Sequence, residues 1–184
     1  MKKTAPDDIA ALPARDRILA TAHRLFYREG LRATGIDKLI AESGVTKVTF
    51  YRHFPSKNDL IQAYLEQRHR LWMNWFRAAL ARRDGPAALA DAMREWFGAD
   101  DFRGCAFING VGEMPEPAVA DAARRHKAEM RQAIAERLPE GAGKAEMADM
   151  LSLAVDGAIV RAQMDGQADA ALAALESMIG KLAG

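Results

Sequence analysis

The chain has 184 residues, of which 49% are hydrophobic and 28% are charged, and its formal net charge at pH 7 is +1. This composition excludes wholesale disorder and a collagen-like repeat, and it predicts a soluble globular protein with a sizeable core. The longest unbroken apolar run, residues 170–175, is far shorter than the roughly 18 residues that cross a bilayer, so no membrane span is expected.

Charge is divided unevenly along the chain. Residues 1–57 carry 11 Lys and Arg against 6 Asp and Glu, whereas residues 58–184 carry 15 against 19. A basic N-terminal third is typical of a segment that meets a polyanion. The basic first residues do not precede an apolar stretch, which argues against a secretory signal, and the single cysteine favours a reducing compartment. A cytoplasmic location is therefore expected.

Glycine, proline and capping residues divide the N-terminal third into short helices. Apolar residues at helical spacing predict a first helix over residues 14–29, and Thr34 begins a capping pattern ahead of a second helix that ends at Gly44. Thr46 can cap a third helix, which stops before Pro55 because proline restricts the residue that precedes it. These elements form a helix-turn-helix, whose last helix can lie in a DNA major groove.

The rest of the chain is also predicted to be helical. Ser56 opens another capping pattern, ahead of an amphipathic helix of about 27 residues. Further helices are expected from Gly85 to about residue 97, and over about 118–138, 144–164 and 168–182. No segment shows the alternation of a β-strand. The predicted fold class is all-α, with about nine helices.

Side chains expected on the outer surface of the third helix suit contact with DNA. Lys47 and Thr49 lie in its first turn, where a cation and a hydroxyl reach base edges and phosphates, and Thr34 can offer a hydroxyl to a phosphate. Phe50 and Phe54 are expected to face inward. The candidate DNA-binding residues are Thr34, Thr46, Lys47, Thr49, Tyr51, Arg52, His53 and Lys57.

A structural role is the alternative for several of these residues. Tyr51 and His53 could pack beside the first helix, and Arg52 could be no more than a solvated side chain. The surrounding pattern favours DNA contact for Tyr51 and His53, because hydroxyl, basic and aromatic donors occur together on one short helix.

The segment from Gly44 to Leu60, GVTKVTFYRHFPSKNDL, resembles the signature of the tetracycline-repressor (TetR) family. With the helix upstream, the resemblance covers residues 14–62. It implies DNA binding through the matching positions: Lys47, Thr49, Tyr51, His53 and Lys57 would face the duplex, and Thr34 would meet a phosphate.

Two positions depart from the family's pattern. Gly35 stands where the family often has a larger residue, and Val48 stands where it often has a small one. A bulky Val48 in the first turn could change which base is contacted and could meet a thymine methyl group. The resemblance therefore carries over no operator sequence.

Residues 60–164 are rich in aromatic side chains and methionines, which can line an apolar cavity. At helical spacing such side chains are more often plain core; the family resemblance is what implies that this region binds a small effector. The candidate effector-binding residues are Trp72, Trp75, Phe76, Trp96, Phe97, Cys105, Phe107, Asn109, Met114 and Met150. Asn109 and Glu113 could orient a ligand or solvate a helix, and Cys105 could be a redox sensor or structural.

The last two predicted helices carry apolar stripes among many alanines. Two such helices from each of two subunits would form a four-helix interface, unless the stripes face only their own subunit. The candidate dimer-interface residues are Leu151, Val155, Ile159, Leu172, Leu175 and Ile179. The histidines lack metal-ligand spacing, and no catalytic or cofactor motif is recognisable, so neither a metal site nor a cofactor is expected.

The expected protein is a homodimeric, ligand-responsive transcriptional regulator and not an enzyme: a repressor that a small apolar or amphipathic effector releases from a palindromic operator on double-stranded DNA. Residues 1–55 would form the DNA-binding domain, with 1–13 flexible, and residues 56–184 a larger helical domain for effector binding and dimerisation. One alternative is an effector-independent, nucleoid-associated DNA-binding protein. Another is a helical small-molecule-binding protein or enzyme with a vestigial helix-turn-helix.

Overall fold

The computed structural model describes residues 10–183. Within that range the chain forms nine complete helices and no strand, so the all-α prediction is confirmed. The helices are α1 (Ala14–Glu29), α2 (Ile36–Ser43), α3 (Lys47–His53), α4 (Lys57–Leu80), α5 (Ala87–Phe97), α6 (Ala106–Glu113), α7 (Pro117–Ala135), α8 (Lys144–Asp165) and α9 (Asp169–Ala183). The predicted flexibility of residues 1–13 falls largely on residues 1–9, which lie outside the described part. None of the described helices is both long and apolar enough to cross a membrane.

Packing divides the chain into two compact units. The first comprises residues up to 70 together with 106–123, and the second comprises 71–105 together with residues from 124 onward. The first unit therefore holds α1–α3, α6 and the beginnings of α4 and α7. The predicted functional domains, residues 1–55 and 56–184, stay a prediction, because packing does not test which residues carry which function.

The helix-turn-helix is built on a core that α1 supplies. α1 packs against both α2 and α3. Phe50 and Phe54 are 0% and 3% exposed, which confirms that they face inward. α2 ends at Gly44, whose φ of 62° lies in the left-handed region that glycine adopts without strain, and the chain turns there into α3.

Hydroxyl side chains begin two of the helices as the sequence predicts. The Thr49 backbone N–H donates to Thr46 Oγ1 at 3.2 Å, which caps α3. At the start of α4, the Asp59 N–H donates to Ser56 Oγ at 3.1 Å, and the Ser56 hydroxyl donates to the Asp59 carboxylate at 2.6 Å. Each cap satisfies a backbone donor that the helix itself leaves unpaired.

The capping pattern predicted at Thr34 is wrong. Gly35 is the N-cap residue of α2, and no side chain caps that helix. The Thr34 hydroxyl instead donates to the Gly30 carbonyl oxygen at 2.7 Å. Gly30 follows the last residue of α1, and this hydrogen bond satisfies a carbonyl that the ending helix would leave free.

In the second unit, α8 packs against α9, and both pack against α5. The predicted dimer-interface residues are all buried within this single chain, at 7% exposure or less, and are Leu151, Val155, Ile159, Leu172, Leu175 and Ile179. This corrects the prediction: the stripes pair α8 with its own neighbours, and buried side chains offer no surface to a second subunit.

Candidate functional site

The outward surface of α3 is polar and basic. Thr46, Lys47, Tyr51 and Arg52 are exposed, and no acidic residue lies in the helix. Because the Phe50 side chain is buried in the core and fixes the orientation of α3, the side chains on the opposite side of this helix project outward. This surface combines cations with hydroxyl donors, which is the chemistry that contacts phosphates and base edges.

Two predicted hydroxyls lie against one another at the start of α3. Thr46 Oγ1 and Thr49 Oγ1 are 2.9 Å apart, and Thr46 Oγ1 also accepts the Thr49 N–H. Since one hydroxyl must donate to the other, only one of the two hydroxyl hydrogens remains for an outside acceptor. Thr49 and His53 are both partly exposed.

Thr34 is not available to a phosphate. Thr34 is 0% exposed, and its hydroxyl donates a hydrogen bond to the Gly30 carbonyl oxygen. This geometry corrects the prediction that Thr34 contacts DNA, because a side chain without accessible surface cannot reach a ligand. Both the hydroxyl of Thr34 and the family resemblance suggested this contact. Neither takes account of the Gly30 carbonyl at the end of α1, to which the hydroxyl donates.

Lys57 is partly buried and tied to the turn between α1 and α2. Its ammonium donates to the Arg32 carbonyl oxygen at 3.2 Å. Burial lowers the pKa of Lys57, and the nearby Glu113 carboxylate opposes that shift. The lysine therefore presents a positioned charge at the edge of the helix-turn-helix rather than a freely moving one.

Glu113, the last residue of α6, contacts the same turn. Its Oε2 accepts the Arg32 backbone N–H at 2.9 Å. Gly30 lies against this carboxylate: its φ is 95°, and a Cβ placed there would lie 2.6 Å from Glu113 Oε2. The backbone conformation favours glycine here, and a side chain at this position would displace the Glu113 carboxylate. The sequence suggested only a ligand-orienting or helix-solvating role for Glu113.

A second acid from the same region of the first unit reaches the start of α4. The Asn58 side-chain amide donates to Glu116 Oε2 at 3.0 Å. Glu113 and Glu116 together attach the end of α6 and the segment after it to the parts of the chain that flank the helix-turn-helix. Neither contact has a local sequence signal, since the partners are 81 and 58 residues apart.

In the second unit, aromatic side chains form a closely packed cluster around Trp72. The Trp72 and Phe76 rings stack with centroids 4.6 Å apart, and Trp96 meets Trp72 edge-on at 5.2 Å. His126 completes the cluster at 5.0 Å from the Trp72 ring. Trp72, Phe76 and Trp96 are 2%, 0% and 8% exposed, so the cluster lies in the interior of its unit.

The indole N–H groups of this cluster differ in their partners. Trp75 Nε1 donates to Glu95 Oε1 at 2.8 Å. That hydrogen bond, together with the Arg82 guanidinium, holds the pKa of the Glu95 carboxyl below its usual value. Trp72 Nε1, in contrast, is buried and has no hydrogen-bond partner. An unpaired buried donor is costly and unusual in a native interior.

The predicted effector-binding residues are divided between the two units. Phe97 and Cys105 are buried in the second unit, whereas Phe107, Asn109 and Met114 belong to the first. Phe107 is buried there against the edge of His69, with ring centroids 6.4 Å apart. Met150 is 41% exposed on α8, so the expectation that it lines an apolar interior is corrected.

A small cavity in the second unit shares no lining residue with the aromatic cluster. Its volume is about 10 Å³, which is room for about one water molecule. Its lining residues are Leu80, Gly85, Pro86, Leu89, Ile134, Arg137, Leu138 and Leu151. None of them is a predicted effector-binding residue, and the effector site stays a prediction. Among residues 10–183, no group of three or more His, Cys, Asp and Glu could hold a metal ion.

Comparison with known proteins gives the family. The family model for bacterial regulatory proteins of the tetR family matches residues 18–64. A TetR-family transcriptional regulator from Streptomyces coelicolor is 31% identical, and its structure superposes with a TM-score of 0.83 over 100% of this chain and 98% of that one. The family model and the structural match therefore indicate the same family, and the structural match covers the whole of this chain.

Two further proteins extend the comparison. An uncharacterised HTH-type transcriptional regulator of Lactococcus lactis is 26% identical over 106 residues, which is 54% of each chain, so this chain matches about half the length of that curated relative. A cysteine mutant of the TetR-family regulator CifR, in complex with 26-bp double-strand operator DNA, shares the fold with a TM-score of 0.77 and 21% identity over 90% of this chain and 94% of that one. With the helix-turn-helix, the family model and the full-length match in agreement, the chain belongs to the TetR family of bacterial transcriptional regulators, which are not enzymes.

Proposed function

We propose that this regulator acts in the cytoplasm as a homodimeric repressor, and that its α3 helices read a palindromic operator on double-stranded DNA. The observation that carries the proposal is the basic outer surface of α3, where Lys47 and Arg52 are exposed on a helix anchored by Phe50. Two such helices, related by a twofold axis, would enter successive major grooves about 34 to 36 Å apart. The operator complex of CifR, which shares this fold, supports the proposal.

The proposed dimer uses a different face of α8 from the stripe that the sequence suggested. Leu153, Val160 and Met164 are 75%, 36% and 73% exposed, and with exposed Gly157 they are spaced four, three and four residues apart. That spacing places them along one side of the helix. Met178 on the neighbouring α9 is 48% exposed. Apolar faces on two adjacent helices match the four-helix packing of a twofold dimer, in which a second copy covers them.

The proposed effector acts at the aromatic cluster of the second unit. Trp72 Nε1 is an unused donor among stacked rings, so a small amphipathic molecule with a flat ring and a hydrogen-bond acceptor fits the chemistry of this cluster. Because the rings already touch, such a molecule must bind a state in which the cluster has opened. The effector releases DNA only if it binds that state more tightly than the DNA-bound one.

Selection of duplexes from a random pool tests DNA binding directly. We expect the wild-type protein to enrich a palindromic sequence, and Lys47→Ala to bind that sequence about tenfold or more weakly. Lys181→Ala, which removes the same charge from exposed α9, is the matched control and is expected to bind like wild type. A pool that shows no enriched sequence, measured with a folded dimeric protein, would overturn the proposal.

An effector-independent, nucleoid-associated role is the second candidate function. The packing around Trp72 favours it, because the rings of Phe76, Trp96 and His126 already lie against the Trp72 ring. Repeating the selection in the presence of a library of small aromatic compounds separates the two. A compound that elutes the enriched duplex supports the ligand-responsive repressor, and a duplex that resists every compound supports the second role.

A further inference from the structure

Val48 is an exception on the outer surface of α3. It is 69% exposed, although its neighbours on the surface are polar or basic. A single exposed apolar side chain needs no explanation in general. Here, however, it lies in the first turn of the helix that is proposed to enter the major groove, next to Lys47 and directly before the Thr49 hydroxyl.

The hydroxyls beside Val48 are already partly engaged. Thr46 Oγ1 and Thr49 Oγ1 are hydrogen-bonded to one another, and the Thr49 backbone N–H donates a hydrogen bond to Thr46 Oγ1, which caps the helix. These hydrogen bonds hold the first turn of α3 in a fixed shape, with the branched Val48 side chain outside. The first turn therefore offers an apolar surface as well as polar groups to whatever it meets.

The bases present one apolar group in the major groove, the 5-methyl group of thymine. From this we infer that Val48 is a specificity-determining residue, whose side chain packs against a thymine methyl group in each half-site of the operator. The inference rests on the proposed DNA-binding function and adds the partner of one named side chain. The basic residues around Val48 support DNA as the occupant, because Lys47 and Arg52 would meet phosphates on either side of the groove.

Uracil substitution tests the inference, because deoxyuridine differs from thymidine only by the missing 5-methyl group. The probe is the duplex enriched from the random pool, with each thymine in turn replaced by uracil symmetrically in both half-sites. For the wild-type protein we expect one position per half-site at which uracil weakens binding, by about fourfold for each methyl group removed. Val48→Ala should bind the thymine duplex more weakly and should lose most of the uracil effect.

Two controls keep the result interpretable. Lys47→Ala should weaken binding and still distinguish thymine from uracil, since it leaves Val48 in place. Val48→Ile should also retain the distinction, because it keeps a branched apolar side chain of similar shape. Helical content and urea unfolding of each variant show that the domain is folded.

The outcomes separate this inference from the function on which it rests. If no duplex is enriched, the proposed function itself fails. If a duplex is enriched and no thymine-to-uracil change weakens wild-type binding, or if Val48→Ala retains the full uracil effect, DNA binding stands and the role of Val48 is overturned.

Discussion

Glu113 Oε2 accepts a hydrogen bond from the backbone N–H of Arg32 at 2.9 Å, which links the end of α6 to the turn between α1 and α2. The carbonyl oxygen of the same residue, Arg32, accepts from the Lys57 ammonium. One peptide unit on each side of Arg32 is thus held by a different charged side chain, and the turn gains a defined position relative to the start of α4.

Glu113→Ala is expected to lower the free energy of unfolding by about 1 kcal/mol, because the Arg32 N–H loses its acceptor. It should also weaken operator binding, since the Arg32 turn that holds Lys57 is loosened. Urea unfolding and duplex titration measure the two effects. Glu146→Ala, which removes an exposed carboxylate from the first turn of α8, is the control and should change neither. Equal stability and equal DNA affinity in Glu113→Ala would show that this hydrogen bond contributes nothing.

Gly30→Ala is expected to destabilise the protein by about 1 to 3 kcal/mol, because φ 95° and ψ 158° lie in a region that essentially only glycine adopts. The new methyl group would also clash with Glu113. Combining Gly30→Ala with Glu113→Ala relieves the clash but leaves the backbone strain. A double-mutant cycle from urea unfolding should therefore give a combined loss smaller than the sum of the single losses. Strictly additive losses would mean that the carboxylate moves aside without cost.

Leu153→Asp is expected to convert the proposed dimer into a folded monomer, because it places a charge on the exposed apolar face of α8. Light scattering should give about 20.2 kDa instead of about twice that mass. Operator affinity should fall with it, since one subunit contacts only one half-site. Ala142→Glu adds a charge to the exposed connection before α8 and should leave the dimer intact. A Leu153→Asp protein that stays dimeric would place the interface elsewhere.

Glu95 should make stability depend on pH in the acid range. Its pKa is lowered in the folded chain by the Trp75 N–H and by Arg82, so the stabilisation is present above the pKa of the unfolded chain and is lost as pH falls through the folded pKa. Glu95→Gln is therefore expected to be less stable than wild type near pH 6 and to approach it near pH 3. Urea unfolding at both values measures the difference. Because Glu95 is largely exposed, the difference should be small, and a difference that grows on acidification would contradict the stated cause.

Local patterns predicted most of the helices, because helix ends are specified by residues close in sequence. Thr46 and Thr34 show the limit of such patterns. Both precede an apolar helix at capping distance, yet Thr46 caps α3 while Thr34 turns inward to the Gly30 carbonyl. The difference comes from how α1 ends before Thr34, which a four-residue pattern does not contain.

The burial of the apolar stripes and the long-range acidic contacts were beyond sequence reasoning for a different reason. Periodicity identified apolar stripes on α8 and α9 but not which of them the chain itself would cover. α8 carries apolar residues on two sides, with Leu151 buried and Leu153 exposed, so spacing alone does not choose between them. Glu113 and Arg32 are 81 residues apart, and only the folded chain brings them together.

The unit that contains α1–α3 is discontinuous in sequence, because residues 106–123 return to it after an excursion of residues 71–105 through the other unit. A shortened protein ending at residue 70 would therefore lack the acceptors of Arg32 and Asn58 and would uncover Leu31, which lies against Gly110. The helix-turn-helix of this regulator therefore does not form a self-contained unit with α1 alone. Transferring it to another protein requires α6 to be transferred as well.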